Sequence, residues 1–200
     1  MRISRIILAL LGVIFLIIII VLLFGGGPEK PRTTLGVVLK PLPDYADTNS
    51  EVSLTNDGIV NGDDIHRSIR ITVSNDTRIL DIIQGYSDTV IDKHTFSNTP
   101  DAYSVFLKAI NTYGFLSKNA KARVPANPDG QCPLGFRYIY KLSQDGGDIF
   151  TAWSSSCNTG NSSGVSFNLL TLFQNQITDY NKLVQKVNLS ATAAPTQTGL

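Results

Sequence analysis

Glutamate is almost missing from this 200-residue chain: Glu29 and Glu51 are the only two. Paired carboxylates for glycoside hydrolysis would have to be aspartates, and those sit mostly in turn-like stretches, where they favour local backbone hydrogen bonds. Histidine is as scarce, with His66 and His94 alone. Residues 160–164 (GNSSG) spell the GxSxG nucleophile elbow between a predicted strand and a predicted helix. That hydrolase class needs its acid and histidine after the serine, and no histidine follows His94, so Ser162 has no base and the glycines read as loop chemistry. Two histidines in turn-rich surroundings, with Asp63, Asp64 and Asp92 as their nearest acids, do not meet the spacing of a catalytic zinc site; both are expected at the surface. The acids Asp57, Asp63 and Asp64 lack EF-hand spacing. No metal and no cofactor are expected.

An excess of charge of one sign is lacking too. Seventeen Lys and Arg face sixteen Asp and Glu, and since Arg2 and Arg5 precede the long apolar run, fifteen face sixteen in the remainder. Nucleic-acid binding needs a basic face to neutralise phosphates, and only Lys118, Lys121 and Arg123 cluster at all. Nucleic acid is therefore not an expected partner. The cysteines number two, Cys132 and Cys157. A redox pair would call for CxxC-type spacing, which is missing. In an oxidising compartment the two are expected to form one structural disulfide, and closing a loop of that length stabilises a fold by roughly 3.5 kcal/mol in the chain-entropy model.

What the chain has in plenty is one apolar run, residues 6–24, behind a head carrying Arg2 and Arg5. As a helix the run reaches roughly 28 Å, close to the hydrocarbon thickness of a bilayer. The basic head places the N-terminus in the cytoplasm and the rest of the chain outside. A cleavable signal peptide has a shorter apolar region, about 7 to 15 residues, so a retained anchor is the expected form, although Gly25 and Gly27 offer a small-residue cleavage site. The expected organisation is a cytoplasmic head at 1–5, a transmembrane helix at 6–24, a Gly- and Pro-bearing stalk at 25–34, an extracytoplasmic domain at 35–187 and a disordered Ser-, Thr-, Ala- and Pro-bearing tail at 188–200.

Within the domain, residues 35–39 read as a first strand, and 45–64 mostly as loop with a short strand at 52–54. Ile69, Ile71 and Val73 alternate with polar residues, Asn75-Asp76 turns the chain, and 78–84 returns; 89–96 adds a further strand. Thr99 caps a helix with Pro100 at its first position and Gly114 at its end, and Ala102, Tyr103, Phe106, Leu107 and Ile110 share one face. Strands at 136–142 and 149–155 flank the turn Asp145-Gly146-Gly147. An apolar stripe from Leu169 to Val187, interrupted by Gln176, then predicts one long helix. Two strand-strand-helix units predict an α+β fold, an antiparallel sheet with two helices on one face. They also raise an internal duplication, which requires equivalent positions for the two hairpins.

The most suggestive candidate surface is aromatic. Phe136, Tyr138 and Tyr140 alternate along one strand, and Trp153 on its partner can join them. Tyr138, Tyr140 and Trp153 are thus a candidate ligand platform for a glycan or peptide; the alternative is that these rings face the helices and form core. Residues 131–140 (QCPLGFRYIY), 153–157 (WSSSC) and 172–180 (LFQNQITDY) resemble uncharacterised, N-terminally anchored exported proteins of small-genome bacteria. The resemblance implies an envelope location and brings no activity or catalytic residue with it. The expected function is that of a single-pass, non-catalytic binding or assembly module of the cell envelope, with another envelope protein, a peptide or a glycan as partner. A membrane-tethered hydrolase is the alternative.

Overall fold

The computed structural model describes residues 39–119 and 122–190. The expected head, transmembrane helix and stalk, most of the expected strand at 35–39 and the expected tail from 191 lie outside the described residues. No helix among the described residues is long and apolar enough to cross a membrane.

Six antiparallel strands form one sheet in the order β4-β3-β2-β1-β5-β6: β1 is Ser50–Asp57, β2 Arg67–Ser74, β3 Thr77–Gln84, β4 Thr89–Ser97, β5 Arg137–Gln144 and β6 Gly147–Ser155. The central strand is the one the sequence shows least. β1 is polar in composition because only Val52 and Leu54 face the core, while Ser53, Thr55 and Asp57 point to the other side. It pairs with β2 and β5 over nearly its whole length, Leu54 lying opposite both Ile71 and Tyr140. The β5–β6 turn has the expected form, with Asp145 and Gly146 both at positive φ, the geometry that joins two twisted strands through two residues.

Three α-helices lie among the described residues. The first, α1 (Pro100–Thr112), is capped by Thr99, whose hydroxyl accepts from the Ala102 backbone N–H at 3.2 Å. Tyr103, Phe106, Leu107 and Ile110 are buried on its inner face; Ala102 is exposed. The expected long helix is broken into α2 (Ser166–Gln174) and α3 (Tyr180–Val184). Asp179 stands between them at φ +57, outside the helical region, and the Gln176 carbonyl is taken by Arg78 Nη1 of β3 at 2.9 Å. A tertiary bond thus holds the chain open where the apolar periodicity runs on.

The core lies between the helices and one face of the sheet. Phe106 of α1 meets Phe173 of α2 edge-on at 5.1 Å, and Phe115 contacts Tyr140 of β5 and Phe173. A short 3-10 turn, Leu42–Tyr45, buries Leu42 and Tyr45 where the chain enters the domain, and Ser50 Oγ donates to the Tyr45 carbonyl at 2.8 Å. Leu189, within the expected tail, packs against this core, and its carbonyl accepts from Ile59 N–H at 3.1 Å, so the domain runs past residue 187.

The hairpins that the sequence sets in correspondence, β2–β3 and β5–β6, do not hold equivalent positions. Hairpins β2–β3 and β5–β6 both start beside β1 and antiparallel to it, but they step away from it in opposite directions while α1 and α2 cover the same face. The two hairpins are therefore of opposite hand relative to the helices, and no rotation superimposes them.

Candidate functional site

With the helices on one face, the other face of the sheet carries the polar side chains of alternate strand positions. At its centre Thr55 lies opposite Arg70, Arg70 opposite Asp81 and Asp81 opposite Lys93. Asp81 Oδ2 accepts from Arg70 Nη2 at 3.3 Å, and Lys93 Nζ lies 3.9 Å from Oδ1. Arg70 also reaches Asp88 at 3.5 Å, and Lys141 pairs with Asp148 at 2.9 Å. Burial pushes the Asp148 carboxyl up, but Lys141 and Ser143 outweigh it and hold it below the usual carboxylate range.

At the end of β1 these charges become buried. Asp57 lies opposite Arg137 of β5, whose Nε donates to Asp57 Oδ2 at 2.7 Å and whose Nη2 reaches the same oxygen at 2.6 Å. Arg137 Nη2 also donates to the Gly58 carbonyl. The other carboxylate oxygen, Oδ1, meets His66 Nε2 at 2.8 Å, and His66 Nδ1 faces the Ile59 carbonyl at 3.0 Å. His66 and Arg137 are 1% and 2% exposed. His66 is therefore not the surface residue expected from its turn-rich neighbourhood: the 58–66 loop folds back across the end of β1 and carries the ring onto Asp57. The other histidine, His94, is paired with Asp92 at 3.2 Å.

Tyr86, at the β3–β4 turn, stacks on His66 with ring centroids 4.1 Å apart and planes 14° from parallel. Its hydroxyl donates to the Asn61 carbonyl at 3.0 Å and accepts from Asn61 N–H at 3.1 Å, while its own N–H donates to Asp63 Oδ1 at 2.9 Å. Gly85 makes this turn possible at φ +72, with Asp63 Oδ1 only 2.6 Å from where a Cβ would sit. Two cavities adjoin at this point. One of about 240 Å³ is bounded by Val60, Gly130 and the Asp57–Arg137 pair; one of about 220 Å³ has Thr55, Ser68, Arg70 and Lys141 in its walls. Asp57, Tyr86 and Asp129 border both.

The Cys132–Cys157 disulfide is formed, Cα to Cα 5.8 Å, and ties the segment before β5 to the end of β6. That segment is part of the site's wall: the Pro133 carbonyl accepts from Val60 N–H at 2.8 Å, and the Gln131 carbonyl accepts from Arg137 Nη1 at 3.4 Å. Gly135 is required here, because a Cβ would run into Ser156 Oγ and come within 2.6 Å of Cys132 Sγ.

The aromatic candidates do not form one surface. Tyr140 is fully buried in the helix-side core, its hydroxyl 2.9 Å from Ser154 Oγ, and burial pushes its pKa up. Tyr138, on the same face, is half-buried, and burial raises its pKa as well. Trp153 is fully buried on the opposite face, beneath the loop after α1, with Nε1 donating to the Pro125 carbonyl at 2.9 Å. Strand alternation explains the split, since Trp153 pairs with Ile139 and not with Tyr140. The exposed ring beside the Asp57 site is Tyr86, which has no alternating neighbour to signal it; an aromatic directly after a turn glycine was the available clue.

Ser162 Oγ accepts from Gly164 N–H at 3.1 Å, a loop contact, and its backbone N–H donates to the Trp153 carbonyl at 2.9 Å. At the Asp57 site both imidazole nitrogens and both carboxylate oxygens have partners within the protein. The pair acts as a clamp that fixes loop 58–66 and Tyr86. Among the described residues no group of three or more His, Cys, Asp or Glu side chains is placed to hold a metal ion. No protein-family model matches the chain, and no curated protein is significantly similar to it.

Proposed function

We propose that the protein is a single-pass, membrane-anchored module of the cell envelope whose extracytoplasmic domain works by binding, through the end of the sheet remote from the point where the chain enters the domain. One observation carries this reading. Val60, Tyr86, Val90, Ile91 and Leu134 are large apolar side chains with substantial exposure, and all belong to connections or strand starts at the Asp57 end of the sheet. The other exposed large apolar residues among those described are Val105 of α1 and, at the start of α2, Val165 and Phe167. The chain enters at the other end, through Leu42–Tyr45 into Ser50. Exposed apolar groups gathered on one surface are costly in water and mark a contact site. The anchor at 6–24 and the outward placement of the domain rest on the length of the apolar run and on Arg2 and Arg5.

A C-terminal alkaline phosphatase fusion, which is active only outside the cytoplasm, tests the orientation and should be active. A photo-cross-linking residue at Leu134 should give adducts in whole cells, and one at Val105 should not. Adducts from neither position, or from Val105 alone, would refute binding through this end.

A further inference from the structure

We propose that the polar chamber beside Tyr86 is a subsite for a neutral sugar residue; the inference rests on the binding-module reading and names its ligand class. Tyr86 is 54% exposed although its ring stacks on His66, its hydroxyl bonds the Asn61 backbone and its own backbone N–H is held by Asp63. A ring pinned on one face and open on the other loses little freedom when a flat ligand stacks on it, and the C–H face of a pyranose is such a ligand. The chamber walls supply what sugar hydroxyls need, groups that donate and groups that accept. Thr55 and Ser68 offer hydroxyls, Arg70 and Lys141 donate, and Asp88 and Asp129 accept.

Charge separates a sugar from an anionic ligand. Arg70 is already paired with Asp81 and Asp88, and Lys141 with Asp148. An anion entering the chamber would have to displace one of these partners, whereas a neutral polyol bonds to their free edges. Size agrees. A chamber of about 220 Å³ is below the range for drug-sized ligands, and the second of about 240 Å³ across Tyr86 gives room for an adjoining ring.

The test uses the full-length chain in detergent. Chitotriose, cellotriose and maltotriose are titrated by calorimetry and by saturation-transfer NMR, alongside a Lys-rich and an Asp-rich peptide of similar mass. At least one neutral trisaccharide should bind, with its ring protons saturated. Tyr86→Ala should weaken that binding about fivefold or more, and Tyr86→Phe, which keeps the ring, should stay within about twofold. Thr55→Val, which keeps the strand shape and removes a wall hydroxyl, should weaken it as well, so the outcome does not hang on how well Tyr86→Ala folds. Failure of all three sugars at millimolar concentration, binding of a charged peptide alone, or sugar binding indifferent to both Tyr86→Ala and Thr55→Val would overturn the proposal. If the sugars fail while Leu134 still cross-links in cells, only the ligand class falls; if both fail, so does the binding-module reading.

Discussion

Replacing Asp57 by asparagine keeps the size of the side chain and removes its charge, and the consequence can be worked out from the partners left behind. Arg137 and His66 are 2% and 1% exposed, and Asp57 is the anion that both touch. Breaking a buried ion pair by removing one member costs about 3–5 kcal/mol, because the remaining charge is neither hydrated nor compensated. Arg137 retains the Gly58 and Gln131 carbonyls, which places the expected loss near the lower end, about 3 kcal/mol. With a urea m-value of about 2 kcal/mol/M, the unfolding midpoint falls by about 1.5 M. The chain's one tryptophan, Trp153, is fully buried and reports the transition directly. Asp57→Leu combined with Arg137→Met, which removes anion and cation together, should recover part of the loss. A shift of Asp57→Asn below about 0.5 M would refute the argument, since it would mean that the buried guanidinium is compensated by something other than this carboxylate.

Removing the disulfide with Cys132→Ser and Cys157→Ser should cost roughly 3.5 kcal/mol in thermal or urea unfolding, and should also free the wall segment that bonds Val60, which amide exchange at Val60 reads out. Alkaline pH should destabilise the domain through Tyr103, whose pKa burial raises from 10.0 to about 12. The neutral hydroxyl is the form the folded state favours, so its contribution is whole below pH 10 and is lost as pH rises through 12, at most about 3 kcal/mol by the usual conversion. Tyr103→Phe should flatten the stability profile in that window, and an unchanged slope would contradict it. Gly85→Ala should destabilise the β3–β4 turn by about 1–2 kcal/mol, since φ is +72 there, and should increase amide exchange at Tyr86; an unaltered turn would show that the backbone relaxes freely. Acrylamide should quench Trp153 fluorescence scarcely at all in the folded chain, because the loop at Pro125 covers it.

Several features were legible in the sequence. The β2–β3 hairpin followed from the alternation of Ile69, Ile71 and Val73, α1 from Thr99, Pro100 and Gly114, and the β5–β6 turn from Asp145-Gly146-Gly147. The disulfide followed from there being two cysteines and no CxxC spacing. In each case the deciding interactions lie within a few residues of one another, or the alternatives are so few that chemistry chooses.

Of the central strand only its middle, 52–54, was legible, and the site was not, for one shared reason. Ser50–Asp57 looks like loop because half its side chains face a polar surface, and a strand paired on both edges draws its stability from β2 and β5 and hardly from its own composition. Asp57, His66, Tyr86 and Arg137 are scattered over eighty residues of sequence and meet only because the order β3-β2-β1-β5 brings four chain segments to one end of the sheet. Local preference and composition thus determined the fold class, the hairpins, the first helix and the disulfide. Which residues are buried charges and which ring is left open was decided by strand order and register, because a one-position change of pairing moves every side chain of a strand to the opposite face.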